Sequence, residues 1–249
     1  MKHIYLSPHL DDAVYSCGGK IAQDVQHGDS AAIWTIFAGD PTSELTPFAR
    51  ELHARWGIGV EAVAKRRAED TAACRKLGAE SRHLSYPDCI YRIIPESGEP
   101  VITMNEDLFT AAPGREEGLV RQIRNELLRL NPQQLPMACP LGIGLHLDHR
   151  IVREAAERTG LPLIYYADFP YAADPAVRWA DFVPPLSTAE AYAIDDKSLE
   201  LWTDAVAAYT SQVSTFWSSI DEMHRSIRSY SGSIPGHTLW KGSSAREVR

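Results

Sequence analysis

Two short clusters hold the residues best suited to chemistry. His9, Asp11 and Asp12 stand in "SPHLDDAV", and His146, Asp148 and His149 stand in "GLHLDHRIV". Imidazole nitrogens and carboxylate oxygens are the ligands of catalytic zinc, which takes three protein groups and keeps a fourth position for water. His9 and Asp12, three residues apart across a turn, can meet at one ion. His149 opens a helical stripe continued by Val152 and Ala156, so a stripe facing the sheet turns His149 inward with it. Two histidines, one carboxylate and a water make a hydrolytic site. Asp11 cannot easily point the way Asp12 points, which makes it the natural general base for that water. His146 can steady an oxyanion or protonate a leaving group, and Asp148 can orient one of the histidines. Asp12 and Asp148 each also suit a helix N-cap, and His9 alone suits a buried structural histidine.

These side chains need a frame that brings residues 9–12 and 146–149 together. Residues 4–7 read as a short buried strand, followed by a helix over about 13–27 that Gly28 ends. Residues 31–39, "AAIWTIFAG", are nearly all apolar, as a strand covered on both faces must be. A long helix is expected over about 59–77, stopped by Gly78, and a third strand in "SRHLSYPD". Residues 92–118 have little periodicity and many breakers, and read as a surface excursion over the fold. "EEGLVRQIRNELLRLNP" is an amphipathic helix, "QQLPMACPLG" a strand, "HRIVREAAERTG" a helix and "LPLIYYADF" a strand. After an irregular stretch near 170–190, a last helix is expected over about 197–217, with a Ser/Gly-rich tail after residue 229 that is loose at its end.

Alternating strands and helices predict one α/β domain over 1–249, Rossmann-like, with a mostly parallel sheet flanked by helices and a helical C-terminal part from about 197. Ligands of such sheets bind beyond the carboxyl ends of the strands, where both clusters fall. The adjacent Gly18 and Gly19 lack the spacing of a dinucleotide fingerprint and lie inside the first helix, so they read as close helix packing. There is no Walker A motif and no GxSxG elbow.

Bulk properties narrow the partners. The 249 residues are 44% hydrophobic and 23% charged, which suits a globular core, and 33 acidic against 25 basic side chains give a net charge of −8. That balance disfavours nucleic acid. No stretch is long and apolar enough for a membrane span. Cys17, Cys74, Cys89 and Cys139 are scattered with no CxxC, and the first residues lack a secretory apolar core, so the expected location is the cytoplasm with reduced thiols. Assembly into a homo-oligomer is left open.

The two clusters resemble the motifs of the PIG-L/LmbE-like zinc-dependent N-acetylglucosaminyl deacetylases. The family's AHPDDE is matched by Pro8-His9-Leu10-Asp11-Asp12-Ala13, and its HPDH by His146-Leu147-Asp148-His149. The resemblance implies one zinc per chain on His9, Asp12 and His149, Asp11 as general base, and His146 as the polarising or protonating group. Weaker matches extend it. Arg66, Glu69, Leu77 and Gly78 are similar to the family's Arg-x-x-Glu…Leu-Gly helix, and Tyr209–Gln212 to a late helical motif. Asp88, ending "LSYPD", is similar to a substrate-touching aspartate, so Arg66 and Asp88 are implied substrate contacts. Two prolines are replaced by Leu10 and Leu147, and the usual glutamate by Ala13. The implied activity is removal of an N-acetyl or N-acyl group, by hydrolysis of a linear amide, from a small amino-sugar molecule or glycoconjugate. Competing readings are a metal-dependent hydrolase of another bond, such as a phosphoester, and a non-catalytic sugar-binding domain.

Overall fold

The computed structural model describes residues 1–41, 44–59 and 61–242. Its centre is a seven-stranded sheet built from β1 (Lys2–Ser7), β2 (Ser30–Thr35), β3 (Glu80–His83), β4 (Met137–Pro140), β5 (Leu163–Tyr166), β6 (Thr188–Ala191) and β7 (Thr238–Lys241). The strand order is β3-β2-β1-β4-β5-β7-β6. The pairings from β3 to β5 are parallel; β7 pairs antiparallel with both β5 and β6. β1 and β2 are buried along nearly their whole length, which explains their unbroken apolar runs.

The helices are α1 (Asp12–Gln26), α2 (Pro47–Arg55), α3 (Ala62–Leu77), α4 (Asp107–Thr110), α5 (Glu117–Leu130), α6 (Leu147–Glu157), α7 (Asp196–Val206), α8 (Val213–Phe216) and α9 (Ile220–Ser231). α1 packs with α3 and α7, and α5 packs with α6. From β1 the chain winds outward through β2 to β3, then returns to β4 on the other side of β1. Right-handed crossovers on the two sides of β1 send their helices to opposite faces. The carboxyl ends of β1 and β4 therefore flank a topological switch point, where open α/β sheets have their crevice. The two histidine–aspartate clusters leave the sheet there.

Gly18 and Gly19 lie within α1 against α7. A Cβ on Gly18 would sit 2.2 Å from Trp202 Cδ1, and one on Gly19 2.8 Å from Trp202 Cε3. Trp202 closes this contact by donating from Nε1 to the Val14 carbonyl at 2.8 Å. Packing accounts for the glycine pair.

Several expectations need correction. The helix expected over 197–217 ends at Val206, because Tyr209, Thr210 and Ser211 are drawn to acidic groups of α3 and leave the helical path. Tyr209–Gln212 is thus a turn, and only α8 resumes after it. The Ser/Gly-rich tail after residue 229 holds the end of α9 and then β7, whose Leu239 and Trp240 are buried; its end at residues 243–249, expected to be loose, lies outside the described residues. α2 was not expected; Thr46 caps it by accepting from the Ala49 amide at 3.0 Å, with Pro47 in its first turn. The 92–118 excursion is more than a surface loop: Ile102 is fully buried and Arg92 lies beneath the site. Among the described residues no helix is long and apolar enough to cross a membrane.

Candidate active site

β1 delivers residues 7–12 to the rim through a tight turn. Ser7 Oγ donates to the His9 carbonyl at 2.6 Å and accepts from the Ala13 amide at 2.9 Å. The Asp11 amide donates to the His9 carbonyl at 3.0 Å. This turn sends Asp11 and Asp12 apart. Asp11 holds the N-cap position of α1 without using its side chain as a cap, so the capping explanation of the pair does not apply. On the second cluster His146, not Asp148, caps α6: its Nδ1 accepts from the Asp148 amide at 3.2 Å. Leu10 and Leu147, at the positions of the family prolines, are buried core residues, as is Ala13.

Asp12 Oδ2 is the point of convergence. It lies 3.1 Å from His9 Nδ1 and 3.3 Å from His149 Nε2, and it accepts from the His9 amide at 2.7 Å. A tetrahedral shell with bonds of about 2.0–2.1 Å has donor atoms about 3.3 Å apart, and both distances to Asp12 Oδ2 are compatible with that spacing. The far nitrogens are held as well. His9 Nε2 faces Asp148 Oδ2 at 3.1 Å, and His149 Nδ1 faces Asp168 Oδ1 at 2.7 Å. Buried carboxylates behind metal-binding histidines fix the ring and its tautomer.

Other groupings fit a metal less well. The groups whose ligand atoms all lie within 4.8 Å of one another are His9 with His146 and His149, Cys89 with His146 and Asp148, and His9 with Asp88 and Asp148. Burial pushes the Cys89 thiol well up, so it is no ready thiolate. Asp148 is already engaged by Arg92 Nη2 at 2.6 Å and the Cys89 amide at 3.0 Å. His146 uses Nδ1 as an acceptor, which leaves the proton of the neutral ring on Nε2.

Charges settle accordingly. Burial alone lowers His9, but the carboxylates of Asp88, Asp12 and Asp148 outweigh it and raise His9 well above the ordinary imidazole range. Burial opposes protonation of His149 too; Asp12 and then Asp168 overcome it and bring His149 up to about 9. Burial opposes ionisation of Asp12, yet His149 and His9 hold it well below the usual carboxylate range. For His146 burial, joined by the neighbouring His9 and His149 imidazoles, outweighs Asp148 and Asp12 and drives it well down. Asp11 goes the other way: burial, reinforced by Asp12, raises it to about 7 against the pull of Arg66 and His9.

A cavity of about 410 Å³ opens over these groups. Asp11, Asp12, His9, His146, His149, Arg66 and Asp88 all line it, while Asp148 lies behind its wall. Arg66 stacks over Trp56 at 5.1 Å, and its Nη2 is 3.6 Å from Asp11 Oδ2. Its Nε is buried with no protein partner, so the cavity holds a guanidinium short of acceptors. Asp88 is a turn residue and a wall residue at once: Oδ1 accepts from the Ile90 amide at 3.2 Å, and Oδ2 lies 3.7 Å from His9 Nε2. Glu69 does not reach the cavity. It accepts from Thr210 and Ser211 and so ties down the turn that carries Gln212.

Sequence reasoning missed Arg92, Asp168, Tyr171 and the aromatic wall. Asp168 had a signal, since "YYADF" puts an aspartate at a further strand end. Arg92 had none, sitting in a stretch without periodicity.

The model of the PIG-L family, GlcNAc-PI de-N-acetylase, matches residues 4–159. A 2'-N-acetylparomamine deacetylase from Niallia circulans is 30% identical over 186 residues, and one from Streptomyces fradiae 31% over 178 residues. Each match covers 68% of this chain, but it spans only 66% of the first relative's length and 57% of the second's. A crystal structure of the zinc-inhibited form of teicoplanin deacetylase superposes with a TM-score of 0.83 at 26% identity, covering 97% of both chains. With both motifs inside the matched span and the same seven-stranded frame around them, the chain belongs to the PIG-L family of GlcNAc-PI de-N-acetylases.

Proposed function

We propose that the protein is a zinc-dependent N-deacetylase of an amino-sugar compound, with one zinc per chain on His9, Asp12 and His149. The observation that carries this reading is Asp12 Oδ2 flanked by His9 Nδ1 and His149 Nε2, each ring backed by a buried carboxylate. Family membership and the substrates named for the paromamine and teicoplanin deacetylases support the amino-sugar class.

Zinc at this position supplies Lewis acidity, polarising the amide carbonyl and acidifying water. The protein's own groups do the rest. Asp11, at about 7, accepts the proton of the attacking water near neutral pH. His146 donates from Nε2 to the oxygen that gains charge. Protonated Asp11 then passes its proton to the departing nitrogen, freeing the amine and acetate. Arg66 and Asp88 hold sugar hydroxyls, which would give the partnerless Arg66 Nε an acceptor. A two-metal phosphoesterase is a poorer fit, because a second ion near Asp148 would compete with the Arg92 guanidinium.

The test is metal analysis of the purified protein followed by acetate release from a panel of N-acetylglucosaminides. Asp11→Asn is expected to keep its metal and lose about 10²–10⁴-fold in rate. Turnover that survives both chelation and Asp11→Asn would sink the reading.

A further inference from the structure

Beyond the metal-side groups, the cavity wall changes character. Tyr171 lies edge-on to His149 with ring centroids 6.0 Å apart, and Phe109 is edge-on to His146 at 5.8 Å. Phe109 and Tyr171 are themselves 6.4 Å apart, and Tyr171 and Phe216 6.3 Å. These three rings come from three separate segments: α4, the turn after β5, and α8. Together they form a continuous aromatic band running from the two histidines to the mouth. At its outer end Phe109 is 36% exposed and Phe216 38% exposed. Solvated aromatic rings converging on one cavity mark a surface that expects an apolar partner.

Charge points the same way. The carboxylates lining the cavity are the buried Asp11 and Asp88 and the partly buried Asp12, all at its metal end and all engaged there. Toward solvent the charged lining residue is Arg55, whose side chain is about half exposed and pairs with Glu51 at 2.7 Å. An aminocyclitol carrying several ammonium groups would find no free carboxylate among the described lining residues, and would meet a like charge at Arg55. The chain's overall charge of −8 attracts cations from a distance, but screening over about 8 Å leaves the choice of ligand to the local wall.

We propose that the acceptor side of this pocket takes an uncharged aryl or similarly apolar aglycone, attached to the N-acylated amino sugar and seated on Phe109, Tyr171 and Phe216, and selects against polycationic aminocyclitol acceptors. The proposal rests on the deacetylase reading for turnover, but its binding half stands apart from it. It also separates this chain from the paromamine-directed relatives on the strength of its own wall.

The experiment compares three probes on the zinc-loaded protein: 4-nitrophenyl N-acetylglucosaminide, methyl N-acetylglucosaminide and 2'-N-acetylparomamine. Amine release gives kcat and KM, and calorimetry gives Kd. The aryl compound is expected to exceed the methyl compound by about tenfold in kcat/KM, expressed in KM, with paromamine lowest. Kd is expected to follow the same order. Phe216→Ala and Phe109→Ala should each shrink the aryl-to-methyl ratio toward one. Equal kinetics and affinities for aryl and methyl, or tighter binding of the aminocyclitol, overturns the proposal. No turnover of any probe with the affinity order intact overturns the hydrolase reading and upholds the aromatic acceptor site.

Discussion

Arg92 Nη2 donates to Asp148 Oδ1 at 2.6 Å, and the other oxygen of Asp148 faces His9 Nε2 at 3.1 Å. A guanidinium on the excursion after β3 thus sets, through one fully buried carboxylate, the His9 ring whose Nδ1 faces Asp12 Oδ2. Arg92 is fixed in turn by a two-pronged pair with Glu116 at 2.7 Å and by the Pro87 carbonyl at 3.0 Å. The second cluster reaches the first through this chain of contacts.

Arg92→Met keeps most of the volume and removes the charge. Asp148 then stays buried without its cation, a loss that costs about 3–5 kcal/mol in comparable settings. Thermal unfolding should show it. Adding Asp148→Asn to Arg92→Met should recover part of the stability, because the uncompensated charge is gone. Strictly additive losses from the two substitutions would show that the ion pair is not the connection.

Asp168 plays the matching part for His149. Its Oδ1 faces His149 Nδ1 at 2.7 Å while Oδ2 accepts from the Ile143 amide at 3.0 Å. Asn cannot accept on both sides, so Asp168→Asn sets an NH₂ against one of two donors. Zinc affinity, measured by competition with a chromophoric chelator, is expected to fall about 10–100-fold with the fold intact. An unchanged affinity would remove Asp168 from the metal centre.

Without metal, His9 lies well above the imidazole range and His149 at about 9, both held protonated by carboxylates. Zinc requires them neutral, so it must displace their protons. At pH 7, below both values, binding to the metal-free protein should release about two protons. The sign follows: affinity rises as pH rises and levels off only once both His9 and His149 are neutral. Calorimetry in two buffers of different ionisation heat gives the proton count, and a value near zero at pH 7 would contradict the charge state.

Much of this was legible in the sequence, for a physical reason. Buried parallel strands are written as apolar runs, and strand–helix alternation puts the strand-to-helix crossings on one rim, so His9–Asp12 and His146–His149 could be brought to that rim without coordinates, whereas the strand order that makes β1 and β4 neighbours could not be read. Roles that depend on direction were harder. Asp148 and Asp12 both fall in the first turn of a helix, yet one lies behind the wall and the other in it, because Asp148 is captured by Arg92 and the Cys89 amide. The end of α7 was illegible because nothing local stops it: Tyr209 is pulled away by Asp70, 139 residues earlier, through a bond of 2.7 Å. β7 was hidden in a Ser/Gly-rich tail whose strand exists only through its pairing with β5 and β6. Ala13 stands fully buried away from the cavity wall, so the missing family glutamate alters the packing of α1 rather than the lining of the pocket.

Glu69 tests whether that long-range capture matters to function. Its carboxylate accepts from Thr210 Oγ1 at 2.6 Å, the Ser211 amide at 3.0 Å and Ser211 Oγ at 2.5 Å. The turn it holds carries Gln212, Ser214, Thr215 and Phe216 into the cavity. Glu69→Gln puts an NH₂ among three donors and leaves buried polar groups unpaired, at about 1–3 kcal/mol, or about 2–12 °C in Tm for a chain of this size. Because Glu69 touches neither metal-side histidine nor Asp11, zinc content should stay at the wild-type level. The turn it releases is part of the acceptor wall, so KM for an aryl N-acetylglucosaminide should rise by about tenfold while kcat changes little. A fall in kcat with KM constant would instead tie Glu69 to the reacting groups, through the α3 backbone it shares with Arg66.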